Sequence, residues 1–166
     1  MLQPVRRRTW AQKGRTPVHY SWDRRDRLSA VSAIAVSPLQ RRLGLYFRIH
    51  RRNIRSEEVV EFLKILHRHL RRKFILVLDR YSVHRKAVRL LGQEHPDWFE
   101  AEWFPAYAPE LNPVEQIWNH TKYADLANFI PHDVDHLDRE VTNSITNQSD
   151  NQSLIRSFFR FAKLGI

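Results

Sequence analysis

Two acidic residues in this sequence have the type and the setting that metal-dependent phosphoryl chemistry requires. Asp79 directly follows the apolar run FILVL, and Glu115 follows Pro113 in the segment LNPVEQIW. Mg2+ takes one or two protein carboxylates and completes its shell with water and substrate phosphate. Two such ions can activate an attacking water and stabilise the leaving oxygen of a phosphodiester. Each acid also has a plain structural interpretation, because Asp often closes a turn and Glu often faces the dipole at a helix start.

The elements that must position these acids are predicted to form one mixed α/β sheet with flanking helices. Strands are expected at 28–36 and 43–49, paired as a hairpin, and at 74–79 and 100–104; helices are expected from Ser56 as N-cap to Leu70, at 84–94, from Pro113 to about Phe129, and at about 134–147 and 153–163. The strand at 74–79 is apolar on both sides of its pleat, so we expect it to be central and covered on both faces. Ligands gather at the carboxyl ends of strands in such sheets, which predicts a binding cleft at Asp79.

The charge balance favours a polyanionic partner. The chain has 166 residues, enough for one domain, and its 28 Lys and Arg against 18 Asp and Glu give a formal net charge of +10. It has no cysteine, which excludes disulfides, thiolate metal sites and cysteine nucleophiles. No apolar run approaches the roughly 20 residues that span a bilayer, and no signal peptide is evident at the start. We therefore expect a cytoplasmic protein that binds nucleic acid and no membrane.

The sequence segments around the two acids are more specific for a protein family than the spacing of the acids is. The segment VLDRYSVHRKAV followed by WFPAYAPELNPVEQIWNHTK resembles the catalytic core of DDE-superfamily transposases, in the insertion-sequence group allied to the mariner-like superfamily. Asp79 matches the second acid of that family's triad, Glu115 the third, and His84 the family histidine. RRRTWAQKGRTP resembles the family's hairpin, and DREVTNSITNQSDNQSLIRSFF its C-terminal helical end. The resemblance therefore covers nearly the whole chain.

The resemblance implies a fold, a chemistry and partners. The fold would be an RNase H-like mixed sheet flanked by helices, with residues 1–166 as a single partial catalytic domain and C-terminal helices at about 133–163. Asp79 and Glu115 would bind Mg2+ or Mn2+, and the family reaction would be DNA strand cleavage and transfer. The partners would be transposon ends and target DNA, together with a second copy or a full-length transposase. The location would be the nucleoid in the bacterial cytoplasm.

Two departures from the family pattern affect the predicted site. Arg80 stands where the family usually has Asn, which places a cation beside the metal or on a phosphate. The family's first acid ends a strand that comes just before the segment matching MLQPVRRRTW, whereas Asp23 and Asp26 lie after it. We therefore expect a sheet that lacks most of its first, central strand, with a gap or an unpaired edge at 74–79, and a chain that is marginally stable and inactive alone.

Candidate DNA contacts come from the basic residues near the start and near the acids. The predicted set is Arg6, Arg7, Arg8, Arg15, Arg24, Arg25, Arg80, His84 and Lys122. The same arginines could instead form a solvated face, and Trp10 and Trp22 could stack on bases or pack under the hairpin. His132 and His136 are four apart, but without a third ligand a zinc site is not favoured.

The sequence is also compatible with two other functions. One is a basic DNA-binding or dimerising fragment without chemistry, which would modulate a full-length transposase. The other is an RNase H-like nuclease of another kind, whose first acid is supplied from elsewhere. Metal-dependent cleavage separates the enzymes from the fragment, because binding alone would show only a steep salt dependence.

Overall fold

The computed structural model describes residues 5, 7, 8, 10–15, 18 and 27–166, and within them it has four strands and five α-helices. The strands are β1 (Ser29–Val36), β2 (Leu43–His50), β3 (Phe74–Leu78) and β4 (Phe99–Trp103); the helices are α1 (Ser56–Leu70), α2 (Ser82–Glu94), α3 (Pro113–His120), α4 (Val134–Asp150) and α5 (Gln152–Phe161). The predicted α/β class and the order of its elements are confirmed. None of the helices in the described ranges is long and apolar enough to cross a bilayer.

Strands β1 and β2 form the predicted antiparallel hairpin. Their register runs from Ser29 opposite His50 to Val36 opposite Leu43. The outer edge of β2 is closed at Leu43 by the side chain of Gln152, at the start of α5. The Gln152 amide group donates to the Leu43 carbonyl at 2.8 Å, and its oxygen accepts from the Leu43 N–H at 3.0 Å. A side chain thus takes the place of a further strand.

Strands β3 and β4 run parallel and pack with α1 and α2 around one hydrophobic cluster. The buried members of this cluster are Val59, Phe62, Leu63, Leu66, Ala87, Leu91 and Phe99. Helix α1 begins one residue earlier than predicted, because its N-cap is Arg55 and not Ser56, and Ser56 is its first, buried residue. The Glu58 carboxylate accepts from the Arg55 N–H at 2.9 Å, which satisfies a backbone donor at the helix start.

The hairpin and the last three helices enclose a second hydrophobic cluster. Its buried members are Leu28, Leu43, Leu45, Ile117, Leu126, Leu137, Val141, Ile145, Ile155, Phe158 and Phe159. Helix α3 ends at His120 instead of continuing to Phe129, and a π-helical turn follows at Thr121–Asp125. Helix α4 runs to Asp150, so that only Asn151 separates it from α5. The predicted pair of C-terminal helices is confirmed, with a shorter break between them.

The strands do not form one continuous sheet. In the described residues, β1 pairs with β2 and β3 pairs with β4, as two separate two-stranded sheets. A cavity of about 1670 Å3, here called the slot, is lined by every residue of β1 and β3. The gap predicted between the hairpin and the strand that leads to Asp79 is thus present.

Coverage of β3 on both faces was predicted, and this prediction is wrong. The Ile75 side chain is 67% exposed and Val77 is 50% exposed, whereas Phe74 and Leu76 pack on the α1–α2 cluster. The physical reason is the gap between the two sheets. The helices that cover one face of the hairpin do not continue over β3, because the two sheets are not joined. The inner edge of β3 therefore presents both unpaired backbone groups and apolar side chains to the slot.

Candidate metal-dependent active site

Asp79 is held at the carboxyl end of β3 by its own neighbours. Its Oδ1 accepts from the Tyr81 N–H at 3.0 Å and lies 2.6 Å from Nδ1 of His84, in the first turn of α2. The plain interpretation of Asp79 as a turn-closing residue is therefore correct as far as Oδ1 is concerned. The side chain remains 45% exposed. The two contacts fix the orientation of a carboxylate that still reaches the cavity.

Glu115 is positioned by the start of α3. The Asn112 side chain caps this helix by accepting from the Val114 N–H at 3.1 Å, and Pro113 occupies the first turn. The Glu115 N–H donates to the Asn112 carbonyl at 3.1 Å. Within the described part of the chain, the Glu115 carboxylate has no hydrogen-bond or ion-pair partner. Glu115 lines the slot together with Asp79 and His84.

Asp79 and Glu115, which both line the slot, are the type of donor that a hard divalent cation needs. Asp79 and Glu115 supply carboxylate oxygens from two rigid elements, and magnesium needs only one or two of these besides water and phosphate. The described residues contain no group of three His, Asp or Glu side chains that could hold a metal ion by themselves. A two-acid half-site that needs further ligands is consistent with both observations.

Arg80 connects the strand end to the loop that precedes α3. Its Nε donates to the Phe104 carbonyl at 3.2 Å, and the Phe104 N–H donates to the Leu78 carbonyl at 3.0 Å. These two bonds clamp the residues on either side of Asp79 to the start of the loop at 105–112. Arg80, where the family usually has Asn, thus has a structural contact, and the residue is exposed.

The other predicted DNA contacts have different environments. Arg8 and Arg15 are exposed, and Lys122 is half-buried and lines the slot. The Arg7 guanidinium donates to the Tyr123 carbonyl at 2.5 Å, and its backbone N–H donates to the Asn128 side chain, which ties this arginine to the π-helical turn. Arg6, Arg24 and Arg25 lie outside the described residues, as do Trp22, Asp23 and Asp26.

Trp10 and the pair of His132 and His136 are the remaining residues for which a ligand contact was considered. Trp10 is fully exposed. His132 and His136 stack at 4.9 Å between ring centroids, and Nδ1 of His136 accepts from the His132 N–H at 3.2 Å. One ring nitrogen of His136 accepts a backbone hydrogen bond just before α4, so this pair forms a contact at the start of that helix. Among the described residues, no candidate metal cluster includes the pair.

One positioning residue near Glu115 was predicted only as part of a motif. Asn112 caps α3 and thereby sets the direction of Glu115. The signal was available, because Asn directly before Pro at a helix start combines a favoured N-cap with a favoured first position. The Tyr81 N–H contact to Asp79 follows from the same turn chemistry.

Comparisons with known proteins identify the family and the fold of this chain. A family model described as DDE superfamily endonuclease matches residues 1–138. Among solved structures, the crystal structure of the Mos1 strand transfer complex is similar, with a TM-score of 0.65 and 15% sequence identity. The alignment covers 96% of this chain and 48% of that chain, so this chain spans about half of its neighbour's length. The search of curated proteins gave no match. The structural likeness confirms the RNase H-like fold.

Proposed function

We propose that this chain, which belongs to the DDE superfamily of endonucleases, is the catalytic region of a transposase. Its reaction class is metal-dependent cleavage and transfer of DNA strands, and its cofactor is Mg2+ or Mn2+. The observation that carries the proposal is that Asp79 and Glu115 line the same slot, at the carboxyl end of β3 and the start of α3. The bacterial nucleoid is the place where such an activity would meet its substrate.

The chain's own residues would orient the carboxylates and the DNA. A bound divalent cation would supply activation of water or a 3′-hydroxyl and stabilisation of the leaving oxygen. His84 and the Tyr81 N–H hold Oδ1 of Asp79, which leaves its second oxygen for the cation. Asn112 holds the first turn of α3, from which Glu115 projects. Arg80, next to Asp79 in the chain, and Lys122, which lines the slot, carry charges suited to phosphate.

The slot is the place where the site would be completed. Its walls are the unpaired inner edges of β1 and β3, and Ser32 within it has a buried hydroxyl without a hydrogen-bond partner. Side chains from α1, α3 and α5 line it, and we expect them to cover a strand placed there. We infer that the slot takes an extended apolar segment ending in an acid, and that the chain alone is inactive until it is filled.

A nicking assay with added peptide tests this function. The substrate is supercoiled plasmid, and the peptide has about six Val and Ile residues followed by Asp, with lysines at its other end for solubility. We expect nicking that requires both Mg2+ and the peptide. Asp79→Asn and Glu115→Gln should each reduce its rate at least about a hundredfold, as expected for loss of a metal-bound carboxylate.

Glu110→Gln is the matched control for Glu115→Gln. Glu110 lies in the short 3-10 turn at Pro109–Leu111, is exposed, and has no hydrogen-bond or ion-pair partner within the described residues. It removes the same charge near the same helix and should leave nicking unchanged. Equal nicking by Asp79→Asn and the parent chain would contradict the assignment of the acids.

The second candidate function is a non-catalytic DNA-binding or dimerising fragment that modulates a full-length transposase. It is favoured by the incomplete ligand set and the net charge of +10. In that case the chain should bind DNA with an affinity that falls steeply with salt, and no peptide should produce nicking. Arg8→Gln and Arg15→Gln would each lower the salt slope by about 1 if these arginines contact phosphates. Inhibition of a full-length enzyme would support this alternative.

A further inference from the structure

Helix α2 presents a polar and basic stripe to solvent that the candidate metal site does not use. Ser82, Arg85 and Arg89 follow one another at spacings of three and four residues, so they lie on one side of the helix. All three are exposed, whereas Ala87 and Leu91 are buried in the hydrophobic cluster around α1 and α2. The stripe therefore lies on the outward face of α2, and neither arginine belongs to the set of DNA contacts predicted from the sequence.

The two arginines of the stripe lack the acidic partner that their neighbour has. Lys86, on the same helix, forms an ion pair at 3.0 Å with Glu57 of α1. Among the described residues, the side chains of Arg85 and Arg89 have no hydrogen-bond or ion-pair partner. Lys86 thus joins two elements of the fold, while the two arginines are available for a partner from outside the chain.

The distribution of charge along α2 is opposite to the one that a helix favours. Acids are favoured near the start of a helix, where its dipole is positive, and cations near its end. Helix α1 follows this rule, with Glu57 and Glu58 in its first turn. Helix α2, which the structure describes in full, has no acid in its first turn, and its last residue is Glu94. Arg85 and the positive end of the dipole therefore act in the same direction and attract an anion to this half of α2.

The stripe begins beside the candidate metal site. The Tyr81 N–H donates to Oδ1 of Asp79 at 3.0 Å, and the next residue, Ser82, is the first of α2. Measured along the helix axis, Arg85 and Arg89 lie about 4.5 and 10.5 Å beyond Ser82. This length corresponds to about three phosphates of one DNA strand, which are spaced at about 3.4 Å along the axis of the duplex. A DNA strand that passes Asp79 would therefore meet both arginines if it continued along α2.

DNA is the partner that this combination of position and charge fits. Arginine binds phosphate through paired N–H donors, and the chain as a whole has a formal net charge of +10. We propose that the outward face of α2 is a phosphate-binding track, in which Arg85 and Arg89 hold the DNA that flanks the bond to be cleaved. The track rests on the proposed function for its substrate, and it adds two binding residues that position this substrate at the acids.

The salt dependence of DNA binding tests the track. The full chain is titrated into a labelled DNA duplex in the presence of EDTA, and fluorescence anisotropy gives the association constant at several salt concentrations. The double variant Arg85→Gln, Arg89→Gln should lower the slope of log association constant against log salt by about 2, because each lost phosphate contact removes about 0.9. The variant with Arg85→Lys and Arg89→Lys keeps both charges and should keep the slope of the parent chain.

The matched control removes two arginines from the other end of β3. Arg68 and Arg71 are exposed at the end of α1, and their side chains have no partner within the described residues. Strand β3, whose five residues span about 17 Å, separates this end of α1 from Asp79. The double variant Arg68→Gln, Arg71→Gln should therefore leave the slope unchanged. Equal slopes for the α2 double Gln variant and the parent chain, or equal losses in the two double Gln variants, would overturn the track.

The same measurements separate the track from the assignment of the acids. Binding in EDTA does not require a divalent cation, so it does not depend on catalysis by Asp79 and Glu115. A loss of slope in the α2 double Gln variant would support the track even if Asp79→Asn left nicking unchanged. An unchanged slope would overturn the track even if nicking required both acids, and it would leave the stripe to an acidic protein. Failure of the parent chain to bind DNA would likewise overturn it.

Discussion

Replacing Ile75 and Val77 together by threonine should weaken strand binding in the slot by about 2 kcal/mol and should destabilise the lone chain by a similar or smaller amount. Both side chains lie on β3 and face the unfilled region, with 67% and 50% of their surfaces exposed. Threonine retains the β-branched shape that strands favour, so the backbone preference is preserved. The change therefore tests burial of apolar surface.

The magnitude follows from the exposed fractions. Full burial of an Ile or Val side chain contributes about 2 kcal/mol. Filling the slot would bury the remaining two-thirds of Ile75 and half of Val77, which together correspond to about 2 kcal/mol, or roughly thirtyfold in affinity. In the lone chain the parts already buried are one third of Ile75 and half of Val77, which by the same conversion correspond to about 1.7 kcal/mol in the free energy of unfolding.

Two measurements check these values. Fluorescence anisotropy of the labelled acid-ended peptide gives the affinity, and urea denaturation gives the stability of the lone chain. Leu39→Thr is the control, since Leu39 is 73% exposed in the hairpin turn and does not line the slot. Unchanged peptide affinity in the double variant would refute the proposal that a strand binds against β3. A loss of more than about 3 kcal/mol in the lone chain would show that the two residues are already packed.

Two further predictions concern stability. Gln152→Ala should lower the free energy of unfolding by about 2 kcal/mol, because it leaves both Leu43 backbone groups unpaired, whereas Gln93→Ala, at an exposed position near the end of α2, should change it little in the same urea denaturation. The His136 N–H beside Asp133 holds the pKa of that carboxyl below its ordinary value near 3.8, so its stabilising effect is present above that value and is lost as the pH falls through the lower, folded pKa. The melting temperatures of the parent chain and Asp133→Ala should therefore differ at pH 7 and converge at low pH; a constant difference would contradict this.

Local structure was largely predictable from the sequence, because local signals decide it. The hairpin, helix α2 and the Asp79 turn all follow from apolar runs and turn residues. The end of α3 was not predictable, because it depends on a buried network in which Thr121 meets Ser144 and Gln148 from a distant helix. A polar contact across the core overrides a helical pattern that continues in sequence.

The arrangement of the strands was less accessible to sequence reasoning. The pattern FILVL predicts a strand covered on both faces, yet coverage depends on neighbours that this segment does not encode. Only the resemblance to a known family predicted the gap between the hairpin and β3. The approach of Asp79 and Glu115 to one cavity likewise rested on the family motif, since a separation along the chain does not specify a separation in space.

The Gln152 side chain on Leu43 also determines how this molecule can associate. It occupies the outward-facing backbone groups of Leu43, at the first residue of β2. In the other pair of strands, β4 carries the exposed Glu100 and Glu102, whose charges discourage a further strand. Backbone pairing with another chain is therefore directed to the slot between β1 and β3, which we expect to hold a single added strand. Binding should therefore saturate at one guest per molecule, and the protein is protected from the open-ended polymerisation that leads to fibres.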